Sequence, residues 1–289
     1  MTAPVLRVGC AIWAERRWVG RYFPPDTAPG RELAAYATWC TAVEGNTTFY
    51  GLPAAATVER WCDDAPDDFR FMFKLPRSIT HERRLRNADI EVADTLARLD
   101  PLGERAAPLS IQLPPSFGPS DLDVLARFLT GLPTDRSWAV EVRDEAFCTG
   151  GPAERALNDL LAERGVERII IDTRAVFAGP VVTPAEREAV ERKPRLTVRP
   201  VAIGRHPVVR FIGQTVGSSN PGWWAKWVPK VAQWLREGRT PTFFVRTPDN
   251  AVAPALARRF HAEVAALVPS LAPLPEPVAP PPQLGLLGR

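Results

Sequence analysis

Short apolar runs with polar residues at alternate positions recur along the chain, separated by amphipathic or helix-prone segments. A period of two is typical of a β-strand, and a period near 3.6 is typical of a helix. Eight runs are predicted as strands: 6–13, 42–50, 69–76, 109–114, 138–144, 168–173, 208–214 and 242–247. Seven segments between and after them are predicted as helices: 31–40, 54–62, 90–99, 122–129, 153–164, 223–236 and 252–267.

The order of these elements indicates the fold class. Strands that alternate with helices form a parallel sheet, because each crossover returns the chain to the same edge. Eight such units in 289 residues predict an α/β protein, a (β/α)8 TIM barrel with a parallel eight-stranded core, a fold of about 250 residues. The first predicted strand is not followed by a G-x-G-x-x-G sequence, which argues against a dinucleotide-binding open sheet.

Two segments depart from this alternation. Residues 174–205 form a long charged excursion between the sixth and seventh predicted strands, and we interpret it as an insertion that either closes over the barrel or forms a solvated helix. Residues 268–289 are rich in proline, which interrupts helices and favours an extended spacer. The chain is therefore predicted to contain one barrel domain, residues 1–267, followed by an extended proline-rich tail, residues 268–289.

The two phases of the predicted strands differ in polarity. One phase is mostly apolar and is predicted to pack against the outer helices, whereas the other carries polar residues toward the C-terminal strand ends. The second phase is predicted to face the barrel axis and includes Trp13, Glu44, Asn46, Lys74, Gln112, Glu141, Arg143, Asp172, Arg210 and Arg246. In barrel enzymes this end of the strands builds the active site. The alternative is a satisfied salt-bridge layer that pairs Glu44 with Lys74 and Glu141 with Arg210.

The composition is that of an ordinary soluble globular chain, with 45% hydrophobic and 24% charged residues. The net charge of +3 permits an acidic partner without requiring one. The four cysteines lie far apart and form no C-x-x-C pair, so reduced thiols are predicted. The N-terminus lacks a signal-peptide pattern, and no run approaches the roughly 18 apolar residues of a membrane span. We expect a cytoplasmic protein with no membrane contact.

Several motifs resemble one known family. They are Val8-Gly9 with Trp13, Val43-Glu-Gly-Asn-Thr-Thr-Phe-Tyr50, Phe71-Met-Phe-Lys-Leu-Pro76 with Ile79-Thr-His-Glu82, Gln112-Leu-Pro-Pro-Ser-Phe117 and Ala139-Val-Glu-Val-Arg143. In combination, over nearly all of residues 5–265, they resemble the YecE-like family, also called domain of unknown function 72. The resemblance implies a TIM barrel and no established reaction. Ile212 departs from the family pattern, which usually has a histidine there. If that histidine is catalytic in relatives, this chain has altered or lost activity.

Cations outnumber carboxylates among the polar residues predicted to face the barrel mouth. Guanidinium groups bind planar oxyanions such as phosphate and carboxylate in a bidentate manner. We therefore expect an enzyme with acid/base chemistry of the hydrolase or lyase type, acting on a small phosphate-bearing or other anionic substrate or on nucleic acid. The predicted catalytic residues are Glu44, Lys74, Glu141 and Asp172. The predicted substrate-binding residues are Trp13, Asn46, Tyr50, His81, Gln112, Arg143, Arg210 and Arg246.

Two other functions remain open at this point. Glu44 and Glu141 would suit a carbohydrate-active enzyme if their carboxyl groups lay about 5–5.5 Å or roughly 6.5–9.5 Å apart. The apolar Ile212 instead fits a non-catalytic binding module. No cofactor is predicted, since three histidines are too few for a histidine-rich multi-zinc site. A Mg²⁺ or Mn²⁺ ion held by Glu44, Glu141 and Asp172 remains open, because hard cations accept carboxylate ligands.

The proline-rich tail ends in a short apolar peptide. Gln283-Leu-Gly-Leu-Leu287 resembles the motif by which bacterial replication and repair proteins dock on the DNA sliding clamp, with Gln283, Leu284, Leu286 and Leu287 as anchors. The proline-rich spacer would hold the barrel clear of such a partner. The alternative is that the leucines fold back on the barrel or form a dimer contact. The peptide predicts the clamp as a partner and an association with DNA metabolism.

Overall fold

The computed structural model describes residues 3–277, and its centre is one parallel sheet. The strands are β1 (Arg7–Cys10), β2 (Ala42–Gly45), β3 (Arg70–Phe73), β4 (Leu109–Gln112), β5 (Trp138–Glu141), β6 (Glu167–Asp172), β7 (Val208–Ile212) and β8 (Thr242–Arg246). They pair in the order β3-β2-β1-β8-β7-β6-β5-β4. The amide of Leu75 donates to the carbonyl of Ser110 at 2.9 Å, which joins the ends of β3 and β4. The eight strands form a nearly closed barrel, and the predicted fold class is confirmed.

Helices surround the barrel. They are α1 (Glu32–Ala37), α2 (Thr47–Tyr50), α3 (Ala55–Asp64), α4 (Asp89–Leu99), α5 (Leu122–Thr130), α6 (Pro152–Glu163), α7 (Arg174–Ala178), α8 (Pro184–Arg192), α9 (Asn220–Trp224), α10 (Trp227–Arg236) and α11 (Ala253–Ala265). The single helix predicted over 223–236 is divided between α9 and α10. No helix within residues 3–277 is long and apolar enough to span a membrane.

The second strand ends earlier than its sequence pattern predicts. Gly45 lies so close to Phe73 that an added Cβ would come within 2.2 Å of the ring, and beyond it the chain turns into α2. The hydroxyl of Thr48 donates to the carbonyl of Lys74 at 2.7 Å and fixes this turn against β3. The predicted strand at 42–50 is therefore wrong beyond Gly45, and Tyr50 lies at the surface with 82% of its area exposed.

Two apolar layers follow the alternation of the strands. One phase, which includes Val8, Val43 and Phe71, packs in the main core against the helices. The other phase fills the inside of the barrel with Ala42, Met72, Ala139, Ile169, Val208 and Phe244. Because apolar side chains fill the rest of the barrel interior, the inward polar side chains meet at the C-terminal ends of the strands.

The phase predicted for the sixth strand is wrong. Ile169 packs with the inner layer, Ile170 packs in the outer core, and Ile171 lies opposite Arg210. Asp172 lies opposite Phe211, an outer-core residue, and therefore points away from the barrel axis. Three consecutive isoleucines carry no polar position that could mark the inward face, which explains the error.

The excursion after β6 packs onto the end of the barrel. Thr183 caps α8, where its hydroxyl accepts a hydrogen bond from the amide of Glu186 at 3.2 Å. The buried Ala189 and Leu196 of the excursion pack with Ile171, Val176, Cys148 and Ile212. The segment thus covers the C-terminal ends of β6 and β7 rather than standing free in solvent.

Packing also continues beyond residue 267. Val268 and Leu271 are buried in the main core, and Leu274 packs against it. The first residues of the predicted tail are therefore part of the folded barrel domain. The predicted partner anchors Gln283, Leu284, Leu286 and Leu287 lie outside the described residues.

Candidate functional site

Five charged side chains meet inside the C-terminal mouth of the barrel, and we refer to them as the ion-pair cluster: Glu44, Lys74, Glu141, Arg143 and Arg210. Arg210 donates from Nε and Nη2 to both oxygens of Glu44, at 2.6 and 2.9 Å, and from Nη1 to Glu141. Lys74 Nζ lies 2.8 Å from Glu44, and Arg143 Nε donates to Glu141 at 2.8 Å. The pairs Glu44 with Lys74 and Glu141 with Arg210 are confirmed.

The cluster keeps both carboxylates ionised. Burial alone would raise the pKa of Glu44, but the charges of Arg210 and Lys74 outweigh it and lower this pKa well below its usual range. Burial opposes ionisation of Glu141 as well, yet Arg210 and Arg143 lower its pKa to about 2. Since a general acid must carry a proton at the working pH, neither glutamate is a proton donor at neutral pH.

Two neighbouring side chains of the mouth have lowered pKa values. Burial lowers the pKa of Lys74 to about 8, although Glu44 opposes the shift. Burial, followed by the charges of Arg143 and Arg77, lowers the pKa of His81 to about 4, so this imidazole is neutral at physiological pH. His81 also packs edge to face on Phe49, with ring centroids 5.1 Å apart. Lys74 Nζ lies 6.0 Å from the centroid of the same ring, so His81 lies beside the cluster. Its role in substrate binding stays a prediction.

Two further cations lie at the mouth, where Glu44 attracts both of them without forming a direct ion pair with either. Arg246 ends β8, and burial lowers its pKa. Lys193 follows α8 in the excursion, and burial together with Arg246 and Arg210 lowers its pKa to about 7. Within residues 3–277, neither side chain makes a hydrogen bond or an ion pair. Lys193 was missed by the strand pattern because it belongs to no strand.

A compositional signal could have identified Lys193. The chain contains 36 lysines and arginines, and only four of them are lysines. Two of the four, Lys74 and Lys193, lie at the mouth. Arginine cannot lose its proton near neutral pH, whereas a buried lysine can, so the rarity of lysine reduces the candidates for a titrating basic side chain to four, of which Lys226 is exposed.

Asp172 does not join the cluster, contrary to its prediction as a catalytic residue facing the axis. Its carboxylate accepts from the indole of Trp227 at 2.8 Å and from Arg174 at 2.7 and 3.0 Å. It therefore anchors α7 and α10 on the outside of the barrel. Glu44, Glu141 and Asp172 do not converge on one ion, and the described part of the chain contains no group of three or more His, Cys, Asp or Glu arranged to hold a metal.

Three residues predicted to contact substrate lie beyond the ends of their strands, and their roles in binding stay predictions. Trp13 packs edge to face on Trp61 and Phe71, with centroids 5.3 and 6.2 Å apart, so its predicted orientation toward the axis is wrong. Asn46 donates to the carbonyl of Ala11 at 2.8 Å and ties the ends of β1 and β2 together. Tyr50 is exposed on α2. Period two no longer applies to these residues, because each lies beyond the end of its strand.

Comparison with known proteins shows the family to which the chain belongs. The family described as "Protein of unknown function DUF72" matches residues 7–281. The chain belongs to the DUF72 family. The UPF0759 protein YecE of Escherichia coli K-12 is 36% identical over 271 residues, which cover 94% of this chain and 97% of that protein. UPF0759 protein YunF of Bacillus subtilis is 28% identical over 80 residues, covering 28% of this chain and 27% of that protein.

Solved DUF72 structures have the same fold. A family protein from Thermotoga maritima has a TM-score of 0.65 at 18% identity and covers 92% of this chain and 99% of that chain. One from Enterococcus faecalis has a TM-score of 0.61 at 15% identity and covers 92% and 98%. These likenesses show the fold of this DUF72 protein and do not assign a reaction to it.

Position 212 of this DUF72 protein is part of an apolar contact. Ile212 is 1% exposed and packs with Val176, Ala189 and Leu196 beneath the excursion. It lies opposite Arg246 in the β7–β8 register. The side chain supplies no proton-transfer group, so any acid/base chemistry at the mouth must use other residues.

Proposed function

We propose that this DUF72 protein is an enzyme that binds a small phosphate- or carboxylate-bearing substrate at the C-terminal mouth of its barrel. The supporting observation is an excess of positive charge. Five cations surround two carboxylates of the described mouth, Glu44 and Glu141. The cations are Lys74, Arg143, Lys193, Arg210 and Arg246. Three positive charges remain when both lysines are protonated. Arg143, Lys193 and Arg246 are only half-buried, so solvent screens part of this charge, and a bound oxyanion would compensate the rest.

The cations divide into two groups by their contacts. Arg210 is fully occupied by the two glutamates, and it is therefore assigned to holding the cluster together. Arg246 and Lys193 form no direct ion pair with a described residue. Arg143 uses only Nε on Glu141, which leaves its Nη groups for a ligand. A guanidinium fork matches a planar or tetrahedral oxyanion, so Arg143, Lys193 and Arg246 are the proposed substrate contacts.

The lysines are the proposed proton-transfer groups. A general acid or base works best when its pKa lies near the working pH, and the pKa values of Lys193 and Lys74 are about 7 and about 8. A glycosidase needs a carboxylic acid that keeps its proton, whereas the pKa values of Glu44 and Glu141 are lowered. The charges around the two glutamates therefore favour an acid/base enzyme for anions over a carbohydrate-active enzyme. Binding without turnover of any anion tested would favour the binding module instead.

Sulfate binding is expected to weaken as the pH rises. Sulfate keeps its charge between pH 6 and 9, so the loss would come from deprotonation of Lys193 near pH 7 and Lys74 near pH 8. A charge-assisted hydrogen bond contributes about 1.5–3 kcal/mol, so we expect at least a tenfold rise in Kd across this range. Isothermal titration calorimetry at four pH values measures it.

Two variants separate the contributions to this pH dependence. Lys193→Arg keeps its charge and should retain only the loss of affinity near pH 8, whereas the exposed control Lys226→Arg should keep the wild-type profile. Absence of saturable sulfate binding at pH 6 would remove the proposed function. Binding that is independent of pH would remove the lysines from it.

We also propose that the tail peptide binds the DNA sliding clamp and links the enzyme to DNA metabolism. The family match ends at residue 281, so Gln283, Leu284, Leu286 and Leu287 lie beyond the region that the family model matches. Their order of one glutamine and three leucines supports the proposal, because linear motifs bind through a few anchors in preformed pockets.

A labelled peptide spanning residues 280–289 is expected to bind purified clamp saturably, with a Kd of tens of micromolar or tighter. Fluorescence anisotropy measures this binding, and a peptide with Gln283→Ala, Leu286→Ala and Leu287→Ala is the matched control. Equal binding by the two peptides, or no binding by either, would contradict the proposal.

A further inference from the structure

Gln112 ends β4 inside the mouth of the barrel. Its Cα lies opposite that of Glu141 in the parallel β4–β5 register, and Glu141 points inward to Arg210. Residues at the same level of neighbouring strands share a face of the sheet. The Gln112 side chain therefore points into the mouth beside the ion-pair cluster, where only 5% of the residue is exposed.

The amide of Gln112 has no hydrogen-bond partner in the described part of the chain. Its Oε1 is fully enclosed and unbonded, and no described group bonds its nitrogen. The hydroxyl of Ser110, two residues earlier on the same inward face, is also buried and unbonded. Leaving a buried polar group unsatisfied costs about 1–3 kcal/mol. Every charged member of the ion-pair cluster is bonded, so Gln112 and Ser110 are the neutral groups of β4 that are left without a hydrogen-bond partner at the mouth.

The surrounding charges restrict which chemical groups can bond the Gln112 amide. Oε1 is enclosed in this structure, so a ligand bonds it only after the side-chain amide turns toward the opening of the mouth. Oε1 is an acceptor, so its partner must donate a proton, as a hydroxyl or an ammonium group does. Five cations at the mouth repel an ammonium group. A neutral hydroxyl group donates a proton and is not repelled by the cations. The hydroxyl of Ser110, two residues earlier on β4, is a second hydrogen-bonding group.

We infer that the substrate is a hydroxylated anion, such as a sugar or polyol phosphate or a hydroxy acid, and that Gln112 is the residue that recognises its hydroxyl group. This inference rests on the proposed function, because Arg143, Lys193 and Arg246 would hold the anionic end. A site built to bond a hydroxyl strongly rejects the analogue that lacks it, since its own polar group is then left unpaired. Gln112 is thus a specificity-determining residue rather than a source of overall affinity.

Paired ligands test the inference on the full-length protein by calorimetry at pH 6. The pairs are glycerol 3-phosphate with propyl phosphate, and lactate with propionate, and inorganic phosphate reports the anion site alone. We expect at least a tenfold preference for the hydroxylated member of a pair. Gln112→Leu should abolish this preference, whereas the exposed control Gln233→Leu should preserve it.

The outcomes separate this inference from the proposed function. Phosphate binding without a hydroxyl preference in either pair would overturn the inference and leave the anion site intact. Retention of the preference in Gln112→Leu would overturn the role of Gln112. Absence of binding by phosphate and by all four probes would overturn the proposed function and the inference that rests on it. The wild-type comparison decides the hydroxyl preference even if the variant does not fold.

Discussion

Replacing Arg210 with methionine is expected to lower the free energy of unfolding by about 3–5 kcal/mol. Arg210 is 2% exposed and bonds both Glu44 and Glu141, which are themselves buried. Without it, each carboxylate keeps only one cationic partner, Lys74 for Glu44 and Arg143 for Glu141. The penalty arises because two buried charges lose the group that neutralises them jointly. Urea unfolding followed by circular dichroism measures the change.

An exposed ion pair provides the control for this substitution. Arg259 pairs with Glu263 at 3.0 Å on the surface of α11, and exposed pairs contribute about 0–1 kcal/mol. Arg259→Met should therefore leave the stability nearly unchanged. A loss below 1 kcal/mol in Arg210→Met would mean that the cluster does not hold the barrel ends together.

Replacing Arg246 with glutamine is expected to weaken sulfate binding by about ten- to a hundredfold, the equivalent of one charge-assisted contact. The fold should lose little stability, because Arg246 makes no ion pair with a described residue and burial already disfavours its charge. Loss of ligand binding without loss of stability is what distinguishes a ligand contact from a structural cation.

Calorimetry at pH 6 measures the affinity, and thermal unfolding of the same samples measures the stability. Arg187→Gln removes an exposed arginine of α8 and should bind sulfate as the wild type does. A change below threefold in Arg246→Gln, or an equal loss in Arg187→Gln, would show that general surface charge governs the binding.

The alternation of the strands predicted the ion-pair cluster because polar residues interrupt apolar runs there. Glu44, Glu141 and Arg210 each follow apolar neighbours, so period two places them on the inner face, and burial then requires them to pair. The same rule was wrong for Asp172. Positions 169–171 of its strand are all isoleucine, so no polar residue indicates which of them face the barrel axis.

Beyond the strand ends, the sequence pattern no longer predicts the direction of a side chain. Trp13, Asn46 and Tyr50 follow their strands, where turns and side-chain bonds decide the direction of each residue. Lys193 reaches the mouth only because the excursion packs on β6 and β7. Such a placement depends on tertiary contacts that local periodicity does not encode, although the rarity of lysine in this chain was a usable clue.

Crystals grown with selenate give the most direct test of the anion site, because the anomalous signal of selenium locates the ion without ambiguity. The proposed function predicts an anomalous peak within hydrogen-bonding distance of Arg246 and Lys193, and no such peak in crystals of Arg246→Gln. A mouth without a peak, in crystals where selenate occupies other arginines of the surface, would contradict the claim that the barrel mouth binds anions.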